Sequence, residues 1–106
     1  MTRALVNVPK SARRGEIIEI RAMISHTMET GYRVGPNGVP IPRRIINRFV
    51  CTYDGEEIFI AELFPAIAAN PFIAFTTVAT STGTVRFTWT DDSGETYTET
   101  AEITVT

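Results

Sequence analysis

Cys51 and His26 are the residues most readily matched to chemistry, and each is the only one of its type in the 106-residue chain. A thiol beside an imidazole is the smallest nucleophile–base pair, and it would suit a small thiol- or anion-handling enzyme. Such a pair needs a third group to orient the base, and no residue is marked out for that by spacing. Cys51 shares one face of an alternating run with Phe49 and Tyr53, a setting in which a thiol packs as a small apolar group. A reactive thiol would instead need exposure and a cationic neighbour. Arg48 is near in sequence, but strand alternation sends it to the other face. His26 reads as a polar residue bonded to a neighbouring backbone group or carboxylate. A single cysteine excludes an internal disulfide, and no His, Cys or carboxylate set has ligand spacing, so neither metal nor cofactor is expected. There is no glycine-rich phosphate loop and no Ser/His/Asp arrangement. Arg43 and Arg44 follow Pro42; their guanidinium forks suit carboxylates or oxyanions, but they read equally as a solvated basic turn.

These residues depend on short extended elements for their placement. Residues 40–55, PIPRRIINRFVCTYDG, leave a loop, become a strand over 45–53 and end at Asp54-Gly55. Asp-Gly between apolar runs predicts a hairpin, with residues 57–63 as the returning strand. The run over 16–26 alternates, placing Ile18, Ile20, Ala22 and Ile24 on one face, the period of a half-buried strand. Ile17 and Met23, on its polar face, imply partial cover there. Ile45, Asn47, Phe49, Cys51 and Tyr53 are expected on one face of the third strand, with Ile46, Arg48, Val50 and Thr52 on the other. Further strands are expected over 4–8, 73–79, 84–90 and 96–106, with a second hairpin turn at Asp91-Asp92-Ser93-Gly94. Residues 10–15 read as a polar turn. Residues 64–72, FPAIAANPF, read as a single helical or 3₁₀ turn crossing between sheets. Residues 29–42 hold three glycines and three prolines without periodicity, a loop longer than most connections and of the kind that carries contacts. Together these features predict an all-β chain, an immunoglobulin-like antiparallel β-sandwich of about seven strands.

The bulk numbers agree with one domain over residues 1–106. Apolar residues make up 43% of the chain and no run is long enough to cross a bilayer. The first sixteen residues lack the apolar centre of a secretory signal, so the chain is not expected to direct its own export. The net charge of −2 conceals an asymmetry: residues 1–48 hold nine of the ten basic residues and three of the twelve acids. That pattern favours oriented docking with another protein over nucleic acid, and no membrane contact is expected.

The runs VPKSARRGEIIEI, ISHTMETGYR, GVPIPRRIINRFVCTYDGE, ELFPAIAANPF and VRFTWTDDSGETYTE, in this order, closely resemble the SoxZ family, from about Val6 to the C-terminus. The resemblance implies the small subunit of the SoxYZ carrier of bacterial thiosulfate oxidation. In that pair, the similarly folded SoxY holds sulfur intermediates on a cysteine in a glycine-rich C-terminal arm. This chain ends in EITVT, without such an arm, and Cys51 sits mid-strand. The resemblance therefore implies a non-enzymatic partner in a heterodimer, making transient contacts with other Sox enzymes. It also implies a periplasmic location reached by export with SoxY.

The expected contact regions are the long loop, with Met28, Tyr32, Ile41, Arg43 and Arg44, and the connection carrying Phe64, Ile67 and Phe72. These last three either cap the core or form a partner patch. An isolated chain is expected to self-associate, as a homodimer standing in for the heterodimer. A generic adhesion or structural sandwich is the third reading, separated from the carrier reading by co-purification.

Overall fold

The computed structural model describes residues 3–26, 28–64 and 70–106. Eight strands are present: β1 Arg3–Asn7, β2 Ser11–Ala12, β3 Ile17–Ser25, β4 Ile46–Tyr53, β5 Glu56–Glu62, β6 Phe72–Val78, β7 Gly83–Asp91 and β8 Thr96–Val105. They form a three-stranded sheet, β1-β3-β6, and a five-stranded sheet, β2-β8-β7-β4-β5. This is the expected all-β, immunoglobulin-like sandwich, with one strand more than anticipated. The addition is β2, inside the segment read as a polar turn. It pairs in parallel with β8, Ser11 against Thr104 and Ala12 against Val105. Two residues carry no periodicity, so that pairing has no local signature.

The alternation in β3 does what a period of two requires. Ile18, Ile20, Ala22 and Ile24 are buried between the sheets, whereas Ile17 is 72% exposed, so the expected cover over the outer face does not reach it. Met23 is half-buried. From the other sheet, Phe49 meets Trp89 at 5.2 Å and Phe59 at 6.1 Å between ring centroids, with Phe87 beyond. Phe59 of β5 stacks on Phe75 of β6 at 4.4 Å, tying the two sheets together on that flank. Phe49, Phe87 and Trp89, fully buried, each contribute on the order of 2–3 kcal/mol.

One face assignment in β4 is corrected. Its register against β7 slips between Ile46 and Arg48, so one extra residue, Asn47, lies in the strand as a bulge. The bulge turns Ile46 inward, and Ile45 and Ile46 are both fully buried.

The Asp54-Gly55 turn is as expected: φ is 51° and 80°, both left-handed, as a type I′ hairpin requires. The Asp54 carboxylate reaches the neighbouring turn, accepting from the Ser81 hydroxyl at 3.0 Å and the Thr84 N–H at 3.2 Å. Gly83 makes room for it: a Cβ there would lie 1.8 Å from Asp54 Oδ1. The Tyr53 hydroxyl fixes the same turn through the Ser81 carbonyl and the Ser81 N–H.

Candidate functional site

The long loop is not the shapeless connection its composition implied. Arg44 N–H donates to Glu29 O at 2.7 Å and Glu29 N–H to Arg44 O at 2.8 Å. Farther out, Ile41 N–H reaches Arg33 O, and Gly35 N–H reaches Val39 O, both at 2.9 Å. Residues 29–44 therefore fold back on themselves as an irregular hairpin. Gly31 sits at φ 87° where a Cβ would lie 3.1 Å from Arg43 Cβ, so a side chain there would crowd the two legs. Tyr32 (80%), Val34 and Val39 are exposed along the excursion. The molecule measures 59 × 20 × 19 Å.

At the base of this loop lies a polar cluster that no motif announced. Asp91, 1% exposed, closes β7. Its Oδ1 accepts from Ser93 N–H at 3.0 Å, the Ser93 hydroxyl at 2.6 Å and Glu95 N–H at 3.0 Å. Its Oδ2 lies 3.0 Å from the Tyr97 hydroxyl and 3.6 Å from Arg44 Nη2. Burial alone would raise its pKa; the bonds from Ser93, Tyr97 and Glu95 outweigh this and hold the carboxyl below its ordinary value. Asp92 is gripped from the loop side, with Arg43 Nε and Nη2 at 2.9 and 3.0 Å, Ile45 N–H at 3.1 Å and Asn47 Nδ2 at 3.0 Å. Against the cost of burial, these contacts lower its pKa too. Arg44 also lies 3.2 Å from Glu95 Oε2. The charge asymmetry along the chain is thus partly cancelled by pairs between its two halves.

His26 faces the same carboxylate. Its Nδ1 accepts Met28 N–H at 3.0 Å, which places the proton of the neutral ring on Nε2. Nε2 lies 4.0 Å from Asp91 Oδ2. The His26 backbone exchanges bonds with Asn70: its N–H donates to Asn70 Oδ1 at 3.0 Å, and its carbonyl accepts Asn70 N–H at 2.8 Å. Burial lowers the His26 pKa below 6.5 despite the opposing pull of Asp91. The unfolded chain then takes up the proton first as pH falls. Stability is therefore expected to drop as pH falls through the ordinary histidine value of 6.5 toward the depressed folded-state one, and a His26→Gln variant is expected to flatten that slope in denaturant titrations. Asp91 and Asp92 act in a lower window. Their contribution is present above 3.8 and is lost as pH falls through their depressed values.

Three of the residues expected to make contacts, Tyr32, Phe64 and Phe72, are exposed. Phe64 is 62% exposed and shares a shallow recess of about 320 Å³ with Arg43, Asn47, Arg48, Glu62 and Leu63. Phe72 is 60% exposed and lies in register beside Met23, which in turn lies beside Leu5. Ile41 is half-buried. Met28 corrects the reading of it as a contact. It is 4% exposed, and its sulfur accepts Ile46 N–H at 3.2 Å; a left-handed φ of 52° turns it back into the core. Arg43 and Arg44 are exposed but engaged by the chain's own carboxylates, so they are not free anion forks. Ile67, and the expected helical turn around it, lie outside the described residues.

The structure does not bring Cys51 and His26 together. Cys51 is fully buried between Phe59 and Phe87 in register. Ile46 pairs with Asp91 and Cys51 with Phe87, four positions away along β7, about 13 Å at strand spacing. Burial pushes the Cys51 thiol up to about 12. Among the described residues, no group of three or more His, Cys, Asp or Glu is placed to hold a metal. Asp91, Asp92, Asn70 and Tyr97 are the cluster residues that sequence reasoning missed.

The chain was compared with known proteins. Residues 6–102 match the family described as sulphur oxidation protein SoxZ. No curated protein matches in sequence. Among solved structures, a superoxide reductase (neelaredoxin) variant from Ignicoccus hospitalis superposes with a TM-score of 0.77 at 14% identity, covering 97% of this chain and 79% of that one. A crystal structure of a putative superoxide reductase from Thermotoga maritima gives 0.74 at 14%, covering 97% and 85%. The sulfur carrier protein SoxY from Chlorobium limicola f. thiosulfatophilum gives 0.68 at 12%, covering 97% and 78%. At these identities the likeness is one of fold.

Proposed function

Since the chain belongs to the SoxZ family of sulphur oxidation proteins, we propose that it is the non-catalytic half of a carrier pair. In this reading it binds a SoxY-like subunit and helps present that subunit's thiol-bound sulfur to the other Sox enzymes. The observation that carries the reading is the position of Cys51. The one thiol of the chain is sealed in the core in its protonated form, so sulfur bound covalently to a thiol must ride on another chain. This chain's contribution is then surface complementarity. Its exposed apolar residues Tyr32, Phe64 and Phe72 are of the type that anchors interfaces. Arg43 lines the same recess as Phe64, and Ile41 and Arg44 belong to the same proposed contact region. The periplasm, reached by export with the SoxY-like subunit, is the location this role requires.

Co-expression with a SoxY-like subunit tests the proposal. The two chains are expected to co-purify and to run as one heterodimer on gel filtration. Two separate species would overturn it. Alone, the chain is expected to self-associate at high concentration through the surface the partner would cover.

A further inference from the structure

The three-stranded sheet ends at β6, and the hydrogen-bond pattern shows which way that strand's backbone points. Pro71 O accepts Ile24 N–H at 3.3 Å. Ala79 N–H donates to Glu16 O at 2.9 Å, and Ala79 O accepts Gly15 N–H at 2.8 Å. Bonded and non-bonded positions alternate in an antiparallel ladder. Residues 73, 75 and 77 therefore bond to β3. Phe72, Ala74, Thr76 and Val78 aim their N–H and C=O groups away from the sheet. Among the described residues, no backbone or side-chain group bonds to those outward positions.

Edge strands are normally protected by charge, proline, a bulge or short length. β5, the edge of the other sheet on this flank, carries Glu56, Glu57 and Glu62. β1 carries Arg3, and β2 is two residues long. β6 reads FIAFTTV, seven residues with no charge, proline or glycine. Its outward positions also bear exposed side chains. Phe72 ends the apolar row that begins at Leu5 and passes through Met23, and Val78 pairs with exposed Ile17 at the other end.

We propose that β6 is a pairing edge, and that its occupant is an extended strand of the SoxY-like carrier subunit, an assignment that rests on the function proposed above. The chemistry this edge recognises is an extended backbone, supplying N–H and C=O groups to residues 72, 74, 76 and 78. The added strand is uncharged and places apolar side chains opposite Phe72 and Val78, continuing the outer-face row. A partner of the same sandwich fold, as SoxY has, adds such a strand from its own sheet, giving one continuous sheet across the pair.

The test uses the co-expressed pair and two substitutions. Thr76→Pro removes one outward N–H without touching a bond to β3, and proline is tolerated at such edge positions. Thr76→Lys places a charge on the open edge. Affinity for the SoxY-like subunit is measured by titration calorimetry, and stability by thermal unfolding. Both variants are expected to weaken pairing by about tenfold or more, with melting temperatures close to the parent's. If proline unfolds the chain, the lysine variant decides. Parent-like affinity in the folded variants would overturn the assignment while leaving the proposed function intact. Loss of self-association alone would make a second copy the occupant and also overturn it. If the parent chain itself fails to bind, the functional proposal fails, and this one with it.

Discussion

An Asp91→Ala variant is expected to lose about 3–5 kcal/mol of stability, a drop of roughly 20 °C in melting temperature for a chain of this size. The reason is the number of groups that depend on one buried carboxylate. Ser93 N–H, the Ser93 hydroxyl and Glu95 N–H all converge on Oδ1, while the Tyr97 hydroxyl, Arg44 and His26 face Oδ2. Removing the acceptor strands several donors, each costing about 1–3 kcal/mol if left unsatisfied. Asp91→Asn keeps an oxygen for the three Oδ1 donors but turns an amide toward Arg44, so a smaller loss is expected. Thermal unfolding at neutral pH separates the cases. A loss below about 1 kcal/mol in the alanine variant would place Asp91 among ordinary solvated pairs.

The second large effect concerns the thiol. A cysteine pushed to about 12 from an ordinary 9.0 holds about a thousandfold less thiolate at neutral pH, and thiolate is the species that reacts. Burial adds the requirement that the strand open before any reagent enters. Native chain treated with a small alkylating agent is therefore expected to label at least about a thousandfold more slowly than the unfolded chain. Rapid modification of Cys51 in the folded protein would overturn its reading as a buried core residue. The distance along β7 already separates that thiol from His26, so the pair would still lack its base.

Much of the scaffold was legible because the local rules were obeyed. The alternation of Ile18, Ile20, Ala22 and Ile24, and the left-handed demand met by Asp54-Gly55, each involve neighbours in sequence. The misses are long-range. Asp91 stands in DDSG, which reads as a solvated turn. It is buried by Arg44, Tyr97 and His26, which arrive from three other segments. Met28 directly precedes the glycine- and proline-bearing stretch, and its positive φ and burial are announced by no residue type. Ile46 is on the wrong face for a regular strand, and the bulge at Asn47 is not written in any residue type. Of the residues expected to make contacts, Phe64 and Phe72 are exposed and Met28 is buried. Arg43 and Arg44 promised free charge, yet the acids that hold them come from the other half of the chain.

The pairing of β2 with β8 also governs the order of events during synthesis. Ser11 and Ala12 are made more than ninety residues before Thr104 and Val105. The five-stranded sheet therefore cannot be completed until all the residues between β2 and the end of β8 have been made. Domains dominated by such distant pairings fold in roughly milliseconds to seconds, slowly for their size. Throughout that wait the uncharged β6 segment is available to other extended chains, and a partner strand that reaches it early would act as a chaperone as well as a companion.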